Sequence, residues 1–576
     1  YVSPQKLSDL PYREDLELHY GFIDDFYVHF TFRAFELARN KGVISFITSN
    51  TYFTLALKQR MRELLQNNHI NELILTPKAF EATVDTAIFI AQKESLKDYN
   101  LTFINAREVG RNNNEDWEDR LIVFEELKEI ESYDTLISFN LGDRELEVSY
   151  NRHADIDQYR VPINLYKNAV KRVFFSPTQN NLKLYEKFIP KMNELYEKWW
   201  NKIKSSKDIQ KNKEELIEYH KTLKEGDITA LGLVTEGGQG LATADNGRFL
   251  AVLSGTEEAR KIIERIRGFE RRWQRKAPEI NETYENLLKE LSQNNVLDIL
   301  KKKYGEKKLG FPKGFIYKII TKDDVFDSEA YFKSLDQEIK DTMRRVIIYG
   351  GIPETEKDIK DLWKLTKLPK DLKTIGKALK ERIENEYEKL LDKGKWIILE
   401  KNTGQEEIYW APNIYFIDWS RESVKWLSSS SKARWQGYEY FFKEGVTFGR
   451  TSGSILKPKI ASGSIFDTET PLLTNLYDKI TPKYLAAIFN SNLALTILNE
   501  FVNHTVHIQL NDLRLLPIVI PTESQREEIE KFVDSAIVIQ RERYATDNEE
   551  VKSLLWQKLQ EIQQQINQKI EEIYGI

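Results

Sequence analysis

The sequence predicts an α/β fold: a doubly wound sheet at the N-terminal end, then a mixed α+β region, then a helical C-terminal tail. Three observations predict it. Short apolar runs alternate with amphipathic helical stretches over residues 1–105. A β-rich, aromatic stretch runs from Trp396 to Asp467, after long charged helical segments. Residues 481–576 return to helical periodicity. With 576 residues, several domains are expected rather than one core.

The elements follow in order. Asp24 to Asn40 reads as a helix, because Phe26, Phe30, Ala34 and Leu37 recur at helical spacing. Gly42 is expected as its left-handed cap. Val43 to Thr48 is a short apolar run suited to a strand buried on both faces. Leu57 to Asn68 is a second helix, and strands are expected at Glu72–Thr76, Ala87–Ala91 and Thr102–Asn105. From 110 to 190 the chain is mixed and polar, with a strand expected at Val173–Thr178. Lys191 to Glu225 reads as a charged, solvated helical insertion. A glycine-rich segment holds Gly232, Gly237, Gly238, Gly240 and Gly247. Helices are expected at 257–308 and 336–395. In the tail, Leu555, Leu559, Ile562, Ile566 and Ile573 form one apolar stripe.

Composition narrows the function. The formal net charge is −5, so any nucleic-acid contact must come from a local basic patch. The chain has no cysteine, which excludes disulfides and cysteine-ligated zinc and fits a reducing cytoplasm. No apolar run is long enough to span a bilayer. Tyr, Phe and Trp make up 12 % of the chain, enough for both core packing and base stacking.

The order of segments after Tyr1 resembles one enzyme family. Asp25-Phe26-Tyr27 with Phe30 comes first, then Gly42 through Asn50 with Tyr52-Phe53, then Phe80 with Val84 through Ile90. This order is similar to the γ-class DNA adenine-N6 methyltransferases of the large restriction–modification and BREX-type phage-defence enzymes. It starts at the final tyrosine of their Asn-Pro-Pro-Tyr motif. Further on, Gln239 to Thr243 with Asp245 to Phe249 resembles the family's glycine–threonine–glycine–asparagine loop. Ala244 stands where the family commonly has glycine. Gly445 to Phe448, Arg450 to Gly453 and Gly463 to Asp467 resemble the second half of the target-recognition domain. Tyr484 to Ser491, Leu510 to Pro521 and Ile573 to Ile576 also fit. Only about 190–225 and 310–400 fall outside the resemblance.

The resemblance implies a division into 1–110 (half of a methyltransferase catalytic domain, making the sheet partial), 111–520 (target recognition with two helical insertions) and 521–576 (a helical segment). It implies Tyr1 and Phe80 as the clamp on a flipped adenine, and S-adenosyl-L-methionine as cofactor. The cofactor's glycine-rich loop would lie upstream, since Gly237-Gly238-Gln239-Gly240 is not followed by a clear helix. Double-stranded DNA is the implied partner, with other restriction or phage-defence subunits a further one. Arg248, Arg434, Trp435, Arg450, Thr451 and Lys457 have the chemistry for DNA contact, as do Tyr438, Lys443, Ser452 and Lys459.

The strongest basic run, Arg260 to Lys276, includes Arg267 and Arg271. It suits phosphate contact, and it equally suits pairing with acidic helices. His504 and His507 would lie on opposite faces of a strand, so no metal is assigned. No nuclease array is evident. Two rival readings remain: a non-catalytic DNA-specificity subunit, which does not need the doubly wound sheet of residues 1–105, and a helical scaffold, which does not need the β-rich stretch.

Overall fold

The computed structural model describes residues 12–76, 85–109, 133–153, 155–205, 208–264, 318–357, 377–391, 393–401, 407–450, 456–505 and 508–576. The chain forms two compact units. The first is Tyr1–Leu233 with Asn492–Ile520 and Tyr574–Ile576, and the second is Val234–Ser491 with Pro521–Ile573.

The first unit is built on a mixed seven-stranded sheet ordered β1-β3-β2-β4-β7-β6-β5. The strands are β1 (Val43–Ser49), β2 (His69–Leu75), β3 (Thr86–Gln92), β4 (Asn100–Asn105), β5 (Thr135–Leu141), β6 (Arg144–His153) and β7 (Ile156–Pro162). β3 runs antiparallel to both β1 and β2, and β2 is parallel to β4, so β1, β2 and β4 point the same way. The sheet continues past residue 110, because β4 pairs with β7. Helices α1 (Arg13–Tyr20), α2 (Phe26–Leu37) and α3 (Gln59–Gln66) precede or link the strands. One face of the sheet carries Phe46, Phe89, Leu73 and Phe103 in register, the last three fully buried. Tyr52 and Phe53 meet Phe89 and Phe103 edge-on or tilted over that face, as the ring quadrupoles favour. The opposite face carries a row of isoleucines, Ile47, Ile88, Ile74 and Ile104.

Two expectations for β1 are corrected. Lys41, at φ 62°, takes the left-handed position expected of Gly42. Gly42 is needed for space instead, since a Cβ there would lie 2.9 Å from Arg39 O. β1 is also not buried on both faces: Val43 is 64 % and Ile47 46 % exposed, because among the described residues β1 ends the sheet. An apolar run does not report the place of a strand in sheet order.

Residues 173–178, expected as a strand, pair with no strand among the described residues. Phe174 N–H donates to Phe53 O (2.8 Å), and the segment leads into helix α4 (Gln179–Leu195), capped by Thr178. The charged stretch after it is helical as expected, at Asn201–Ser205 and Ile209–Thr222. β8 (Ile228–Ala230) pairs antiparallel with β18 (Pro517–Val519), and Tyr574 OH donates to Pro517 O (3.0 Å).

The second unit holds two small sheets. The five-stranded one is ordered β11-β10-β13-β12-β16 and the four-stranded one β15-β14-β17-β9. Their strands are β9 (Thr235–Gly238), β10 (Leu250–Leu253), β11 (Lys318–Ile320), β12 (Trp396–Glu400), β13 (Tyr415–Asp418), β14 (Gly445–Thr447), β15 (Lys459–Ala461), β16 (Ile465–Phe466) and β17 (Leu472–Asn475). Trp419 is fully buried in the unit's core, stacked on Trp435 at 5.5 Å, with Nε1–H donating to Ile347 O (3.0 Å). Helices α5 (Glu523–Ala545) and α6 (Glu549–Tyr574) close the chain. Leu555, Leu559 and Ile566 of the expected stripe are buried, with Gln563 and Ile570 completing it, while Ile562 and Ile573 are half-buried.

Candidate active site and nucleic-acid interface

Open α/β sheets bind ligands at the C-terminal ends of their parallel strands. In the first unit that edge gathers Ser49 at the end of β1 with Asn50 and Thr51 after it, Thr76 after β2, and Asn105 at the end of β4 with Ala106 and Arg107 after it. It is tied together locally. Asn50 N–H donates to Asp85 O (3.1 Å), Thr76 N–H to Thr86 O (3.2 Å), and Ala106 N–H to Leu75 O (2.9 Å). Tyr27 OH lies 2.9 Å from Thr51 Oγ1, so α2 is fastened to the same loop.

Phe80 and Tyr1 both lie outside the described residues. The described residues on either side of 77–84, Thr76 and Asp85, stand at this C-terminal edge.

Below the edge sits an ion group that sequence reasoning missed. Lys58 bonds Asp24 and, at 2.5 Å, Asp25, and all three are nearly excluded from solvent. Asp24 N–H donates to His29 Nε2 (3.0 Å), and burial holds the His29 pKa below its ordinary value. The pair Asp24-Asp25 before a helix was visible in the sequence, but nothing there said that Lys58 would turn inward. Two buried polar atoms at this end, Asn50 Nδ2 and Asp25 Oδ1, have no hydrogen-bond partner among the described residues. A fixed amide and a fixed carboxylate suit holding a polar group, not nucleophilic attack.

His504 does not lie on a strand. It follows the helical turn Leu498–Val502, is half-buried, and has Nδ1 2.6 Å from Thr54 Oγ1. Burial, with Arg107 and Arg62 nearby, pulls its pKa down to about 3, so the ring is neutral. His507 lies outside the described residues. Among the described residues no group of three or more His, Asp or Glu side chains is gathered as for a metal ion.

In the second unit the glycine-rich segment is a strand crossing. A Cβ on Gly237 would lie 2.1 Å from Leu472 O, and one on Gly240 would lie 1.8 Å from Phe466 O. Gly437, at φ +70°, would place its Cβ 2.3 Å from Gln239 O. These glycines admit the protein's own backbone, so the segment does not fit the adenosyl cofactor's cradle. Ala244 has φ 59°, which accounts for the glycine that the resemblance expects there.

The DNA-contact candidates divide. Ala242 and Arg434 exchange backbone hydrogen bonds (2.9 and 3.2 Å), and Gln436 Nε2 donates to Gly240 O (3.0 Å). This brings the glycine-rich segment beside Arg434 and Trp435, nearly two hundred residues away in sequence. Arg434 is exposed, and Trp435 is half-buried between Trp419 and Tyr438. The Arg248 guanidinium lies 4.9 Å from both the Phe249 and Trp426 ring centres. Arg450 donates from Nη1 to Thr468 O (3.0 Å) and is mostly buried. Lys457 is half-buried at φ 50°. Lys443 pairs with Glu236 at 2.9 Å. Lys459 is buried between Glu400 (3.6 Å) and Glu407 (3.7 Å), which removes it from the phosphate candidates. Arg267, Arg271, Thr451 and Ser452 lie outside the described residues.

A family model described as Eco57I restriction-modification methylase matches residues 1–81. No curated protein matches the chain. Solved structures similar to it include the Type IIL restriction-modification enzyme MmeI in complex with DNA, at 10 % identity and TM-score 0.37, with 100 % of this chain and 53 % of that one covered. Another is the type IIG restriction endonuclease BpuSI, at 12 % identity and TM-score 0.23, with 96 % and 49 % covered. The chain therefore spans about half the length of either. Both likenesses are weak, and the match over residues 1–81 is the stronger finding.

Proposed function

We propose that this chain is the C-terminal portion of a site-specific DNA adenine-N6 methyltransferase acting in restriction–modification or phage defence, in the cytoplasm. The observation that carries the reading is the methylase family match over residues 1–81, which spans both Tyr1 and Phe80. The adenine amine is a poor nucleophile because its lone pair is conjugated into the ring. The enzyme's task is to extrude the base and hold the amine in line with the methyl donor. In this reading Tyr1 and Phe80 stack on the extruded base. The edge formed by Asn50, Thr51 and Thr76 supports the loops that carry them. S-adenosyl-L-methionine supplies the methyl group, and its cradle belongs to polypeptide other than the residues described.

Double-stranded DNA is the substrate, read by the second unit. Arg434 and Trp435, next to the glycine-rich crossing, are the leading candidates for groove contact, with Arg248 beside them. Arg267, Arg271 and Thr451 stay in the proposal as phosphate or base contacts. Arg450 and Lys457 join only through their exposed atoms.

The test is methylation by the full-length protein. It should place N6-methyladenine within one short duplex sequence, read by methylation-sensitive long-read sequencing of an expressing host. Tyr1→Ala and Phe80→Ala should each lower the single-turnover rate by 10-fold or more, as an estimate of roughly 1.4 kcal/mol or above for lost base stacking. A host genome without methylated adenine ends the reading.

A further inference from the structure

One row of side chains crosses the whole seven-stranded sheet. Its register continues from Phe46, Phe89, Leu73 and Phe103 through Tyr159 and Tyr150 to Thr135 on β5. Phe53 and Tyr166 pack on Phe103, and Tyr159 is 3 % exposed. The cover then stops: Tyr150 is half-buried and Thr135 is exposed.

What remains is a cleft of about 450 Å³ between this end of the row and the first turns of α4. That is the size of a small-molecule site. Ile137, Phe139 and Leu182 give it an apolar lining. The Tyr150 and Tyr159 rings that border it are stacked, with centroids 4.9 Å and planes 28° apart. That distance matches the spacing of neighbouring strands. A third ring at the same spacing would stand over β5, where the row has Thr135. A threonine side chain does not rise to the height of a tyrosine ring, so a ring-sized gap is left beside Tyr150.

Polar groups border the same space. Asp157 Oδ1 accepts from Tyr150 OH (2.8 Å), while Oδ2 takes no hydrogen bond among the described residues. Lys183, on α4, is exposed and pairs with no carboxylate among the described residues. Thr178 and Gln179 bring the start of the 17-residue helix α4 to the cleft, and with it the positive end of the helix. A flat ring with N–H groups on its rim can stack on Tyr150 and donate to Asp157. An anion attached to that ring would meet Lys183. A nucleobase with its phosphate has all three parts, whereas an aromatic amino-acid side chain lacks the anion.

We propose that this cleft is a nucleotide-binding site, with the base stacked on Tyr150 above Thr135 and the phosphate towards Lys183. A free nucleotide and an unpaired position in a DNA strand present the same ring and phosphate. The site is separate from the candidate active edge, because β6 lies three strands beyond β2, roughly 14 Å away at the usual strand spacing. It stands on the cleft and does not need the methyltransferase reading.

Equilibrium dialysis of the full-length protein against the deoxynucleoside 5′-monophosphates, and against a short single-stranded oligonucleotide, tests the site. S-adenosyl-L-homocysteine is present in excess, to fill any methyl-donor site. Thr135→Phe puts a ring into the gap from an exposed strand position, where phenylalanine is a good strand former, so the fold is kept. At least one monophosphate should bind, and Thr135→Phe should weaken it by about 10-fold or more, the order expected for one lost base stack. Binding of the oligonucleotide alone, with the same loss, assigns the base to a strand. Tyr150→Leu should weaken binding by a similar factor, and Tyr150→Phe, which keeps the ring, by much less. Failure of both probes to bind at millimolar concentration overturns the proposal, as does binding that Thr135→Phe leaves unchanged. N-acetyltryptophanamide binding in place of the nucleotides overturns it too. Methylation is scored separately: its absence removes the enzyme assignment and leaves nucleotide binding to be read on its own.

Discussion

At the scale of single residues, buried charge decides more than exposed charge. Arg62 is fully buried and holds three backbone carbonyls: Lys171 O (3.0 Å), Tyr52 O (2.9 Å) and Leu55 O (2.8 Å). Burial lowers its pKa to about 9, which still leaves it charged at neutral pH. Arg62→Met should destabilise the first unit by about 3 kcal/mol, since the carbonyls lose their donors without gaining water. Urea unfolding monitored by tyrosine and tryptophan fluorescence checks this, and an unchanged midpoint would remove Arg62 from the account. His504 sets a pH dependence. Its folded pKa, about 3, lies below the ordinary 6.5, so the unfolded chain binds a proton that the native state refuses. Its contribution is constant above pH 6.5 and is lost as the pH falls from 6.5 towards 3, by about 1.4 kcal/mol per pH unit. His504→Gln should flatten the difference in unfolding free energy between pH 7.5 and pH 5, and a variant with the same slope as the parent would show that another group sets it. Ala244, at φ 59°, carries a left-handed strain that glycine would not. Ala244→Gly is expected to stabilise by about 0.5–1 kcal/mol, raising the thermal midpoint, because the relief exceeds glycine's extra chain entropy.

At the scale of elements, what was legible was what periodicity encodes. The helix over Phe26–Leu37 and the four strands up to Asn105 fall where apolar spacing put them. What was not legible is set by partners distant in sequence. β1 reads as a central strand because its residues are apolar, yet its exposure depends on sheet order. The expected strand at 173–178 has strand composition but packs as an unpaired, buried run. Lys459 looked like a groove contact because a side chain's class is in the sequence, whereas its pairing with Glu400 is not. The glycine-rich segment shows the same limit. Its glycines were legible as a demand for close approach, but what approaches is Phe466 and Leu472 of the same unit. Gly240→Ala should therefore cost about 2 kcal/mol or more, since two backbones must separate. Gly255→Ala, with open space around it and φ +80°, should cost only about 1 kcal/mol. Equal melting temperatures for the two variants would contradict the crossing.

At the scale of the whole molecule, specificity and threading belong together. The stretch 396–467 contributes strands to both sheets of the second unit, whose other strands, β9, β10, β11 and β17, lie outside it. Exchanging 396–467 alone between homologues would mate foreign strands, whereas exchanging 234–491 with 521–573 keeps both sheets whole. In the proposed function the larger exchange should move the methylated sequence, and long-read sequencing of the modified DNA would show whether it did. The first unit, meanwhile, is assembled from stretches far apart in sequence, Tyr1–Leu233 and Asn492–Ile520. β8 waits for β18, roughly 290 residues later, and Thr54 waits for His504. At about 5–20 residues per second, the ribosome needs some 15–60 s to bridge that gap. During that time the first unit stands unfinished while the second unit's core is being made. The pairing of β8 with β18 thus makes the order of synthesis part of the folding problem: a nascent chain stalled before residue 520 holds much of the second unit and an incomplete first one.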